Sequence, residues 1–400
     1  MAKREHADDL RGASRLVVDA TREVTTIVQE MHRTIADGPA GVAQPFTLPG
    51  RIISGLVYGG VRGVAALVGA GLDQALVVLG PLLGGSAPGP EREALLAAVN
   101  GVLGDWLAST GNPLAIPMRL RRGGAPLTLE RDALAAVYPR ASGRIAVWIH
   151  GSSMCDLQWR RNGHDHGEAL EDALGFAPVY AHYNSGRHVS TNGAELAELL
   201  EELVAAWPVP VEALVLVGHS MGGLVARSAC LAAERAGHRW RDSLRALVCL
   251  GTPHHGAPLE RIGNVVERVL GGEHYSAPLA RLGKLRSAGV TDLRHGNVLD
   301  EHWAGVDRFA SGVDSRCAAP LPAGVACLAI AGTTAPTLDG RLPGDGLVPV
   351  DSALGRHARA DMCLAFAPED QRIVARTNHM QLLESPHVYA LIRDWLGERV

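Results

Sequence analysis

The stretch "LVGHSMGGLVARS", residues 216–228, sets glycines on both sides of a serine between an apolar run and a helical pattern. Gly218-His219-Ser220-Met221-Gly222 fits G-x-S-x-G in the context that motif needs: "ALVLVGH" reads as a strand and "GGLVARSACLAAERA" as a helix. Side chains at the two glycine positions would collide across so sharp a strand-to-helix turn, so the small residues let Ser220 stand above a sheet. The helix starting behind it brings N–H groups and a positive dipole end to the same point. The competing reading is a Gly-Ser turn that serves only strand-to-helix packing.

Outward from this corner, short apolar runs alternate with helical patterns. The strand candidates are "PLTL", "IAVWIH", "PVYAHYN", "ALVLVGH", "ALVCLGT", "ACLAIAG" and "CLAFAP". Several lack polar alternation, as suits strands buried on both faces of a parallel sheet. With helices such as "GAELAELLEELVAAW" (193–207) between them, the expected fold is a mostly parallel, doubly wound α/β sheet.

Two regions break the alternation. Residues 1–125 read as a helical region ahead of a sheet domain at 126–400, and residues 256–322 read as a long insertion with two amphipathic helical patterns. In the first region, residues 10–36 repeat apolar positions at spacings of three and four, and 52–87 is apolar with Gly55, Gly59 and Gly63 four residues apart. Arg62 and Asp73 interrupt that stretch before it reaches the roughly 18–20 uncharged residues of a membrane span. "REALLAAVNGVLGDWLAS" is a third helical pattern. Residues 10–110 therefore either contact a lipid surface peripherally or pack as soluble helices on the sheet domain.

Composition narrows the function. With 47% apolar and 20% charged residues the 400-residue chain is globular, and its net charge of −4 contains no basic block. A nucleic-acid partner is not expected. Cys155, Cys230, Cys249, Cys317, Cys327 and Cys363 lie far apart without metal-finger or C-x-x-C spacing, which predicts free, buried thiols. The start "MAKREHADDLRGASR" has no apolar stretch behind its charges, so a cytoplasmic protein is expected, with lipid-surface association left open.

A serine hydroxyl is a weak nucleophile and needs a base within hydrogen-bond reach, with a carboxylate to orient that base. On the strand-elbow-helix plan both follow the serine in the chain. "RLPGDGLVPVDSALG" places Asp345 on a turn beyond a strand, with Asp351 its rival; "IVARTNHMQLLESPHVYALIRDWL" places His379 in a polar turn, with His387, expected to pack on the last helix, its rival. A second oxyanion donor is expected from the loop after "IAVWIH", where His150 and Gly151 lead to the N–H of Ser152, facing that of Met221. His254 and His255 in "LGTPHHGAPLE" read as structural or cleft-lining, and His164, His166 and His182 show no metal-ligand spacing. Neither a metal nor a cofactor is called for.

Taken in order, "VWIHGSSM", "YNSGRHVSTNG", "LVGHSMGGLVAR", "LGTPHHGAPLE", "GDGLVPVDSALG" and "NHMQLLESPHVY" resemble the α/β-hydrolase superfamily, in its bacterial lipase and GPI inositol-deacylase-like branch. The resemblance covers about residues 140–400. It implies a serine esterase or lipase acting on a hydrophobic ester, with Ser220 as nucleophile, Asp345 as acid, His379 as base and the N–H groups of Ser152 and Met221 as oxyanion hole. It also implies that the insertion at 256–322 covers the site as a lid. An acyltransferase of the same fold and a lipid-surface or granule-associated protein with a vestigial hydrolase domain are the alternatives.

Overall fold

A computed structural model describes residues 90–109, 111–112, 114–257, 287–308, 314–340 and 342–400. The helical patterns expected at 10–36, at 52–87 and through most of the insertion lie outside them.

Among the described residues, chain order begins with helix α1 (Pro90–Ser109), which fulfils the third N-terminal pattern, and then strands β1 (Arg119–Arg122) and β2 (Ala125–Pro126). Next come α2 (Arg131–Val137), β3 (Arg144–Ile149), α3 (His166–Leu174), β4 (Ala177–His182), α4 (Val189–Ala206), β5 (Ala213–His219) and α5 (Met221–Ala236). Strand β6 (Leu244–Leu250), α6 (Ala288–Asp292), β7 (Ala326–Gly332), α7 (Val350–Ala353), β8 (Gln371–Val374) and α8 (Pro386–Arg399) complete the order.

One eight-stranded sheet runs β2-β1-β4-β3-β5-β6-β7-β8. The six strands from β4 to β8 are parallel, and β1 and β2 add an antiparallel edge. Burial on both faces accounts for the uninterrupted apolar runs. Along β3 and β5, Val147, Ile149, Leu214 and Leu216 join the core under α4 and α5, while Ala146, Trp148, Val215 and Val217 join the core under α3 and α8. Each such side chain taken from water contributes roughly 1.5–3 kcal/mol.

The connections leave β3 in opposite directions: β4 lies on one side of it and β5 on the other. The chain reverses its winding there, so a crevice opens at the carboxyl ends of β3 and β5, where open α/β sheets place their ligands.

Three strand expectations change. Strand β1, "RLRR", pairs with β4 although only Leu120 in it is buried, and it brings the sheet's start ahead of residue 126. "PLTL" contributes only Pro126 to a strand. "CLAFAP" forms none: Phe366 fills the core, Pro368 opens a short 3-10 turn, and the edge strand is "QRIV" beyond it. A proline cannot donate to a ladder, which moves the strand past it. All six cysteines are free; four are buried, but Cys317 and Cys363 are exposed. No helix among the described residues is long and apolar enough to cross a membrane.

Candidate active site

Strand β5 ends at His219 and α5 starts at Met221, so the whole reversal falls on Ser220. Its backbone has φ 54° and ψ −124°, a left-handed conformation strained for a residue with a side chain. Its N–H donates to the carbonyl of Leu250 at the end of β6 (2.8 Å). The flanking glycines are needed sterically. A Cβ at Gly222 would lie 2.0 Å from the carbonyl oxygen of Ile149, and one at Gly218 2.4 Å from the nitrogen of Gly223.

Asp345 and His379 meet in the loops beyond β7 and β8. His379 Nδ1 lies 2.7 Å from Asp345 Oδ2, both side chains being buried, and the His379 N–H donates to the Asp345 carbonyl (2.9 Å). The other carboxylate oxygen, Oδ1, accepts from the N–H groups of Leu347 (3.0 Å) and Val348 (2.7 Å). A turn aspartate bonding its own backbone and an aspartate orienting a histidine are thus one residue using two oxygens. Because a carboxylate only accepts, Nδ1 carries a proton, which in the neutral ring leaves Nε2 as the acceptor. The rivals lie elsewhere: Asp351 is exposed, 3.6 Å from Arg356, and His387 is exposed on the first turn of α8 instead of packing there.

Gly251, directly after β6, links these parts. A Cβ there would come within 3.0 Å of Asp345 Oδ2 and 3.2 Å of His379 Nδ1, beside the residue that receives the Ser220 N–H. His219, between Gly218 and Ser220 in the elbow, makes a further link. Its Nε2 lies 3.0 Å from the His379 carbonyl, and the two rings are 4.6 Å apart. The motif gave no signal for this contact, since it depends on a residue 160 positions away.

The loop after β3 approaches the elbow from the side, where a Cβ on Gly151 would sit 3.1 Å from that of Ser220. His150 is buried and stacked on Tyr183 (4.3 Å), whose hydroxyl donates to the His150 carbonyl (2.7 Å). Burial pushes the His150 imidazole down to about 3, so it is neutral. Its Nδ1–H donates to the carbonyl of Gly151 (2.8 Å). In a trans peptide the N–H points opposite to the C=O, so this bond turns the N–H of Ser152 away from the His150 ring. Ser152 is half-buried and Met221 fully buried.

His254 and His255 serve packing. His254 accepts from Arg227 of α5 (3.2 Å), and His255 Nε2 lies 3.1 Å from the Gly355 carbonyl. His182 has partners its sequence spacing did not suggest: it groups with Glu93 and Asp156, their ligand atoms within 4.8 Å of one another. Arg121 brings a positive charge to this group, 2.7 Å from Glu93 and 3.2 Å from Asp156.

Residues 140–315 match the family model described as PGAP1-like alpha/beta domain. No curated protein matches the chain. Among solved structures it is similar to Bacillus licheniformis lipase BlEst2 in mature form, at 15% identity and TM-score 0.41 over 63% of this chain and 91% of that one. It is also similar to Aspergillus fumigatus lipase B (13%, TM-score 0.40, 70% of this chain and 60% of that one) and to naproxen esterase from Bacillus subtilis (14%, TM-score 0.33, 64% and 82%). The segment matched by the family model contains the Ser220 elbow and the Gly151 loop, whereas Asp345 and His379 lie beyond it. By its sheet order the chain has a mostly parallel α/β fold resembling that of the α/β-hydrolases, and its central residues 140–315 are similar to the PGAP1-like alpha/beta domain.

Proposed function

We propose that this protein is a serine carboxylic-ester hydrolase acting on a hydrophobic ester through an acyl-enzyme. The observation that carries the reading is the buried 2.7 Å bond between Asp345 and His379 beside the strained Ser220 elbow. Ser220 Oγ attacks the ester carbonyl carbon while His379 Nε2 takes its proton. The N–H groups of Met221 and Ser152 stabilise the negative oxygen of the tetrahedral intermediate. Its collapse breaks the bond to the alcohol, which leaves with the proton from His379, and Ser220 stays acylated. Water then gives a proton to His379 and attacks the acyl carbon; the acid departs and the proton returns to Ser220. Asp345 stabilises the imidazolium in both halves.

The test is hydrolysis of p-nitrophenyl esters of increasing chain length by the full chain, with fluorophosphonate labelling. Labelling at Ser220, and loss of turnover in Ser220→Ala with an unchanged melting temperature, are the expected results. Undiminished turnover in that variant overturns the reading. Flotation of the full chain with lipid vesicles tests the lipid contact expected of residues 10–110.

A further inference from the structure

Helix α1, which the sequence places outside the sheet domain, lies directly on the loops that border the crevice. A Cβ at Gly101 would fall 2.0 Å from Ser153 Oγ, 2.8 Å from its Cβ and 2.9 Å from its Cα. One helical turn on, a Cβ at Gly104 would fall 1.8 Å from Asn184 Oδ1, and one at Gly186 would fall 2.1 Å from the Asn100 carbonyl. At Gly101 and Gly186 the atoms met include backbone, an approach that glycine permits. Two helix carbonyls receive outside donors: Asn184 Nδ2 donates to that of Gly104 (2.8 Å) and Ser287 Oγ to that of Gly101 (2.6 Å). At the start of the helix, Glu93 joins the buried charge group with Arg121, Asp156 and His182.

The residue under Gly101 is the sensitive one. Ser153 has φ 59°, a left-handed conformation that a side-chain-bearing residue keeps only when its surroundings hold it, and its N–H is held by Ser185 Oγ (2.9 Å). Ser153 follows Ser152 directly, so the Ser152 N–H is fixed on one side by the His150–Gly151 bond and on the other by a strained turn lying beneath the helix.

We propose that α1 is a positioning element for ester hydrolysis, in which Gly101, seated on Ser153, holds the turn that fixes the Ser152 N–H. This rests on the hydrolase reading above. Its subject is no group that touches substrate; the helix acts through the loop, and a misplacement of about 1 Å at such a loop can cost up to 100-fold in rate.

The test is a double-mutant cycle in the full chain, reading kcat, KM and melting temperature. Gly101→Ala is expected to lower kcat about tenfold or more, with KM changed less than about threefold. In a Ser153→Gly background the same change is expected to cost at least about threefold less than in the unmodified chain, because the Oγ at 2.0 Å and the Cβ at 2.8 Å are gone and the Cα at 2.9 Å is what still has to give way. Equal losses in both backgrounds, or no loss in either, overturn the proposal. If Gly101→Ala alone does not fold, the paired variant is expected to fold and turn over, and its failure to do so also counts against it. An unmodified chain that neither turns over esters nor labels at Ser220 overturns the hydrolase reading, and this proposal with it; a chain that does both while the cycle shows no coupling overturns this proposal alone.

Discussion

The imidazole of His219 donates from Nε2 to the carbonyl of His379, and the two rings lie 4.6 Å apart. The residue before the proposed nucleophile therefore supports the loop that carries the proposed base. A neutral hydrogen bond of this kind is worth about 0.5–1.5 kcal/mol. His219→Phe keeps a ring in place but loses the donor, and we expect kcat/KM to fall by a factor of about 3–10. His219→Ala, which also loses the packing, should fall further. Steady-state kinetics on one ester decide this, and full activity in both variants would refute the linkage.

Ser220 bears its strain whether or not it reacts. A non-glycine residue in such a conformation costs about 1–3 kcal/mol, which glycine relieves, less the entropy glycine adds to the unfolded chain. Ser220→Gly should abolish turnover and raise unfolding stability by about 1 kcal/mol. Ser220→Ala should abolish turnover with no comparable gain. Urea denaturation of the three proteins separates these outcomes; a Ser220→Gly variant less stable than Ser220→Ala would be inconsistent with a strained elbow.

Legibility in the sequence followed burial and locality. Strands β3 to β7 could be read because two buried faces demand continuous apolar residues, and the elbow because its glycines and serine are neighbours. Strands β1 and β8 could not, since an edge needs few apolar positions: Leu120 alone is buried in one, Val374 alone in the other. Asp345 was marked by its Gly-Asp-Gly turn, and His379 by a polar turn between an apolar run and a helix. The role of α1 was hidden: its helical pattern was plain, but Gly101 and Gly104 gain meaning only from Ser153 and Asn184, which the chain brings to them through the sheet.

Acid should weaken the fold through its buried histidines. Burial lowers the imidazoles of His150 to about 3 and His166 to about 4, and that of His254 well below its ordinary value. The unfolded chain binds protons at an ordinary histidine value near 6.5 that the folded chain refuses. Stability is thus fully present above about pH 6.5 and is lost as pH falls from there toward about 4, at up to roughly 1.4 kcal/mol per pH unit for each such histidine. Melting temperatures between pH 8 and 4.5 should drop accordingly on the acid side, and a flat profile there would contradict neutral burial.

Asparagine at position 345 should be far more damaging than at position 351. In Asp345→Asn, the N–H groups of Leu347 and Val348 still require an acceptor where Oδ1 now sits. The amide oxygen must take that place, which turns the amide NH2 toward His379 Nδ1. Facing a donor, Nδ1 has to become the acceptor, and the ring proton moves to Nε2, where the proposed base needs its lone pair. We expect kcat to fall by about 10⁴ with the fold retained, as for the equivalent change in a serine-protease triad. Asp351 is exposed and 3.6 Å from Arg356, so Asp351→Asn should leave kcat unchanged. Raising the pH should not restore activity to Asp345→Asn, because the wrong tautomer is set by hydrogen bonding and not by charge; comparison of both variants across pH 6–9 checks the point, and recovery at pH 9 would contradict it.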